Sequence, residues 1–210
     1  MTTVLRCAFV VALLAGCSIL PEKTAISLFA PDPRIQADPA WPTVAWQLVV
    51  PRPVGPALVD SARIPVRPAP GELQVYKGAQ WASDPGEQLR DAILRTLEES
   101  GRIGAVARQG SGIAADYRLE LDLRRYEADY AGAAVPAATI EVNAKLLRSV
   151  GQQVVGSRTF RQAVPATGTD TALVSQAFGT ALAAIARDIA GWTLATGGPV
   201  DGAALKDSGS

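Results

Sequence analysis

Apolar residues at Val44, Trp46, Leu48 and Val50 alternate with their neighbours, a period of two that predicts a strand with one buried face. Ser61 to Arg67 alternates as well, and Pro65 marks it as an edge strand, because proline has no N–H to give to a ladder. Leu73 to Tyr76 reads as a third short strand. The period then changes. Asp84, Pro85 and Glu87 have the spacing of an N-cap, a first helical position and a capping box, Leu89, Ile93, Leu94 and Leu97 form one stripe, and Gly101 supplies a stop. Together they predict a helix over 85–100. Ile103 to Gln109 returns as a strand ahead of the loop Gly110-Ser111-Gly112.

The clearest strand follows, with Tyr117, Leu119, Leu121 and Leu123 on one face and Arg118, Glu120, Asp122 and Arg124 on the other. Beyond Arg124 the pattern slips by one, so that Tyr126, Ala128 and Tyr130 become the apolar set, and a slip of one requires a bulge. Ile140, Val142, Ala144 and Leu146 alternate again, and a weaker strand runs from Val154 to Val164, which completes an antiparallel meander. Val174, Phe178, Ala181, Leu182, Ile185, Ile189 and Trp192 then recur at helical spacing, with Gly197 beyond the end. Two amphipathic helices and about six strands predict an α+β fold, a two-layer sandwich with a mostly antiparallel sheet and both helices on one face.

The amino terminus follows other rules. Residues 1–16 carry one charge at Arg6, an apolar run from Cys7 to Leu14, then small residues, which is the grammar of a secretory signal peptide. Eight apolar residues rise about 12 Å as a helix, well short of the roughly 30 Å hydrocarbon core of a bilayer, so the run is too short to span one. It ends in Leu14-Ala15-Gly16-Cys17, which resembles the bacterial lipobox, in which the cysteine is cleaved free and acylated. The other reading is an ordinary secretory peptide with a coincidental cysteine. With each buried CH₂ contributing about 0.8 kcal/mol, acyl chains on Cys17 would anchor the domain to a membrane without spanning it. Ser18, in place of Asp, implies sorting to the outer membrane. From residue 17 to 43 the repeated prolines Pro21, Pro31, Pro33, Pro39 and Pro42 read as an extended tether, whose maximum reach at about 3.1 Å per residue is roughly 80 Å. Ala25 to Phe29 interrupts it with a short lipophilic stretch, either tether or an extra edge strand. Residues 44–194 form the folded domain, and 195–210, rich in Gly, Ala and Ser, read as a disordered tail.

Composition narrows the chemistry. Lys and Arg together number 20 against 20 Asp and Glu, so the chain has neither a basic footprint for nucleic acid nor an acidic surface. It has no histidine, which removes imidazole general bases, serine or cysteine triads and His-based zinc sites. Of the two cysteines, Cys7 leaves with the signal peptide and Cys17 carries the anchor, so the mature domain has no thiol and must rely on its apolar core. No cofactor or metal is expected.

Two features imitate active sites. The glycine spacing from Gly110 to Ala115 is that of a dinucleotide loop, but a charged alternating strand follows it rather than a helix, and a strand connection explains it. Glu120 with Asp122, and Glu127 with Asp129, are paired carboxylates of the kind that cut glycosides, yet each lies among Arg118, Arg124 and Arg125, which favours cross-strand ion pairing on a solvated sheet face. Tyr76 and Trp81 flank the first helix and are candidate partner contacts, since aromatics with a polar tip concentrate at interfaces; the alternative for Trp81 is to roof the core beside the N-cap.

With these elements in order, the chain resembles the ABC-type transport auxiliary lipoproteins, the group that includes PqiC. The resemblance is carried by Arg63-Ile64-Pro65-Val66-Arg67, by Gly71 to Tyr76 leading to Ala79-Gln80-Trp81-Ala82, by Ala115 to Leu119, by Phe160 and by the helix ending at Trp192. It implies a non-catalytic outer-membrane lipoprotein that works beside an ABC permease and an MCE-domain protein in lipid transport, with self-association open. A structural or assembly lipoprotein of the envelope, unrelated to lipid flow, is the alternative.

Overall fold

The computed structural model describes residues 25–199. The expected signal peptide, the expected lipobox with Cys17, and residues 200–210 of the predicted tail lie outside the described residues.

Eight strands and two helices form an α+β domain. The strands are β1 (Ser27–Phe29), β2 (Val44–Val50), β3 (Arg63–Arg67), β4 (Gln74–Trp81), β5 (Ile103–Arg108), β6 (Tyr117–Asp129), β7 (Ala137–Arg148) and β8 (Val154–Pro165). The helices are α1 (Pro85–Ser100) and α2 (Thr171–Thr196). β6 organises the sheet. One of its edges pairs antiparallel with β7 along the whole strand, and β7 pairs with β8. The other edge is divided, with β2 running parallel beside Tyr117 and Arg118, and β3 parallel beside Ala128 and Asp129. β5 extends the first branch parallel to β2, while β4 and then β1 extend the second.

The expected α+β class holds, but the sheet is mixed rather than mostly antiparallel, because β1·β4, β2·β5, β2·β6 and β3·β6 are all parallel. Alternation reports which face a residue takes and is blind to strand direction. Direction follows from the connections: the short links of β3–β4, β6–β7 and β7–β8 force antiparallel pairing, whereas the long excursion from β2 to β5, which includes α1, leaves room for a parallel return. β3 is also not an edge strand, since β4 and β6 flank it. Pro65 is tolerated there because the β3–β6 ladder begins only at Val66 and the β3–β4 register shifts between Arg63 and Pro65.

Local chemistry explains the rest. Asp84 Oδ1 accepts the Glu87 N–H at 3.0 Å, and Gly101 closes α1 in the left-handed region at φ 60°. The Glu87 side chain does not complete a capping box; it pairs instead with Arg90 and, at 3.2 Å, with Arg52. The slip in β6 is a register shift between Leu123 and Arg125, as the sequence requires. Inward residues of β6 and β7 meet Phe178, Leu182, Ile185 and Ile189 of α2 in one core. Its centre is aromatic: Phe178 stacks on Tyr126 at 4.6 Å and meets Trp81 edge-on at 5.1 Å. No described helix is long and apolar enough to cross a membrane.

Candidate interaction site

The chain from Ala30 to Thr43 is a strap laid across α2, and it joins the domain to the segment that carries Cys17. β1 fixes its start, pairing Phe29 with Trp81 while the Phe29 carbonyl accepts the Ala82 N–H at 2.8 Å. Two glycines of α2 admit it. A Cβ on Gly179 would lie 3.2 Å from the Asp32 carbonyl oxygen, and one on Gly191 would come within 2.6 Å of Trp41 Nε1. Between these seats Arg187 donates to Asp38 at 2.8 Å. The Ala40 N–H and then the Arg187 guanidinium hold the Asp38 carboxyl below its ordinary value. Arg102 closes the far end, donating to the Pro39 carbonyl at 2.8 Å and to Thr43 Oγ1 at 3.2 Å. A groove of about 750 Å³ remains between Pro31, Arg34, Gln36 and the Ser175, Gln176 and Thr180 face of α2.

Residues 25–43 therefore belong to the folded body and not to a free tether, and Ala25 to Phe29 does contribute an edge strand. The sequence carries a signal for this: a glycine inside a helix costs about 1 kcal/mol relative to alanine, so Gly179 and Gly191 in an otherwise strong helix mark close approach by another segment. Asp38, Trp41, Arg102 and Arg187 carry no motif that would single them out.

Trp81 is 1% exposed, in the aromatic core, so it is not available to a partner. Its indole N–H and the Tyr76 hydroxyl are buried without a hydrogen-bond partner among the described residues. Tyr76 is half-buried at the margin of the core, and burial, with Tyr130 beside it, pushes its phenol up to about 12. The two aromatics thus do not form a common surface patch.

The paired carboxylates are tied up by arginines. Arg118 meets Glu120 at 2.7 Å and Arg124 meets Asp122 at 3.1 Å, both in substantially solvated positions. Glu127 is nearly enclosed and receives Arg67 Nε at 2.9 Å and Arg67 Nη2 at 3.0 Å, with Arg125 Nε at 2.6 Å; Arg125 also holds Asp129 at 2.6 Å. Burial pushes the Glu127 carboxyl up, but hydrogen bonds from Arg67 and Arg125 outweigh it and hold it below its ordinary value; Asp129 is lowered in the same way. A general acid at neutral pH needs a raised value, so Glu127 and Asp129 are built as structural anions. The glycine loop at 110–112 joins β5 to β6 with no helix after it, which leaves no dipole end for a phosphate.

Comparison with known proteins supplies what the geometry alone does not. The family model described as ABC-type transport auxiliary lipoprotein component matches residues 27–190, from β1 through the strap and into α2. The solved structure of protein XCC0632 from Xanthomonas campestris is similar at 52% identity and a TM-score of 0.78, over 81% of this chain and 95% of that one. A second solved structure, of an uncharacterized protein, shares the fold at 17% identity and a TM-score of 0.62, over 79% of this chain and 97% of that one. Protein bll6063 of Bradyrhizobium diazoefficiens, also uncharacterized, is 26% identical over 156 residues, which are 74% of this chain and 41% of that protein. The chain thus spans about two fifths of the length of that curated relative.

Proposed function

Because the chain belongs to the family of ABC-type transport auxiliary lipoprotein components, we propose that it is a non-catalytic accessory subunit of an MCE/ABC-type lipid transport system, acylated at Cys17 and held at the periplasmic face of the outer membrane. The observation that carries this reading is the extent of the family match: it begins at residue 27, so the strap on the anchor side is part of the shared domain. The Leu14-Ala15-Gly16-Cys17 sequence supports acylation, and Ser18 supports outer-membrane sorting. A non-catalytic role is supported by the absence of histidine and by arginines that keep Glu127 and Asp129 charged.

Crosslinking the full-length lipoprotein in intact envelopes, followed by identification of what it captures, tests the proposal. Recovery of an MCE-domain protein or an ABC permease is the expected result. Recovery only of outer-membrane assembly components, with neither transporter part, would favour the assembly role and overturn this one.

A further inference from the structure

β1 is the outermost strand of its branch, and Leu28 within it and Ile26 just before it are apolar and exposed. Phe29 packs against the core, so alternation turns Leu28 and Ile26 to the opposite face, where they are 66% and 56% exposed. The pairing register puts Leu28, Gln80 of β4 and Arg63 of β3 in one row across three strands. Arg63 is exposed, as is Lys77 on β4, and neither forms an ion pair among the described residues. Two exposed aliphatic side chains, with Arg63 two strands along the row of Leu28 and Lys77 on the adjoining strand β4, match the chemistry of a bilayer interface, which takes apolar groups at the level of the headgroups and cations at its phosphates.

Chain length selects the same occupant. Residues 18–24 are all that separate Cys17 from the body at Ala25, and from Cys17 that stretch extends at most about 28 Å at roughly 3.5 Å per residue. An acyl anchor at Cys17 keeps the start of β1 close to the membrane.

We propose that the β1 edge is a membrane-contact surface, with Ile26 and Leu28 entering the interface and Arg63 and Lys77 meeting lipid phosphates. This rests on the anchoring reading given above. It orients the molecule, since the turn at Val150, which is 84% exposed, belongs to the β7–β8 connection on another branch of the sheet and should stand clear of lipid.

The test uses the full-length protein carrying Ile26→Cys, Leu28→Cys or Val150→Cys, each labelled with a small fluorophore and reconstituted through its own anchor into phosphatidylethanolamine and phosphatidylglycerol vesicles containing headgroup-region spin-labelled phospholipid. Quenching at positions 26 and 28 at least threefold stronger than at 150 is expected, and Arg63→Gln with Lys77→Gln should reduce that difference. Equal quenching at all three positions, or none at 26 and 28 while the protein still floats with the vesicles, overturns the contact surface and leaves the anchor standing. Failure of the protein to float overturns the anchor and the contact surface together. Crosslinking of position 28 to protein rather than lipid in intact envelopes would assign the patch to a protein partner and overturn the bilayer assignment.

Discussion

Glu127 is charged and nearly enclosed, so its stability contribution depends on the two arginines that bond it. Its carboxyl is held below the ordinary value of 4.5, as Asp129 is held below 3.8. A lowered value means that the native state resists protonation more than the unfolded chain does. The stabilisation is therefore complete above the ordinary carboxylate range and is lost as pH falls through the lower, folded value. Glu127→Gln should cost about 1–3 kcal/mol at pH 7, because it removes the negative charge and replaces one of the two acceptor oxygens with an NH2 that faces guanidinium donors, and it should flatten the loss of stability below pH ~4.5. Urea denaturation at a series of pH values checks both; an unchanged pH slope would remove Glu127 from this role. At the core, Phe178→Ala deletes the ring that bridges Tyr126 and Trp81 and should destabilise the fold by about 3–5 kcal/mol in the same assay.

The strap gives α2 its second buried side. α2 is apolar well beyond one stripe, since one side lies on β7 and β8 and another receives Asp32 and Trp41. Gly191→Leu should strengthen the helix by about 1 kcal/mol in propensity while driving Trp41 from its seat. Limited proteolysis should then cut within residues 30–43 faster in the variant, with helical circular dichroism retained; equal protection would show that Trp41 does not hold the strap. These elements also show what could be read in advance. α1 was legible because Asp84, Pro85 and Gly101 act locally, and the β6 slip was legible because the pleat has a strict period of two. The parallel pairings are not, because direction depends on distant connections, and only Gln74 to Tyr76 of the eight residues of β4 are legible as strand, because Lys77 and Gly78 interrupt its apolar pattern. That the carboxylates pair with arginines is legible, but the expected cross-strand pairing on a solvated face is not what forms: Glu120, Asp122 and Asp129 meet arginines of their own strand, and only Glu127 also takes an arginine from another strand, Arg67, at a nearly enclosed position. That enclosure and the burial of Trp81 depend on neighbours far along the chain.

For the molecule as a whole, residue 17 precedes edge strand β1 and the strap along the chain, so a load applied at an acylated Cys17 would enter the body through β1, paired with β4, and through the strap on α2. This connectivity suits a domain that is positioned at a membrane and presents the rest of its surface to neighbours. Attachment through Cys17 is the claim on which orientation, reach and the accessory role all rest. Intact-mass and N-terminal peptide analysis of the mature protein extracted from envelopes tests it most directly. The account predicts a chain that begins at Cys17 and carries the added mass of fatty acyl groups; an unmodified amino terminus, or cleavage at any other bond, would contradict it.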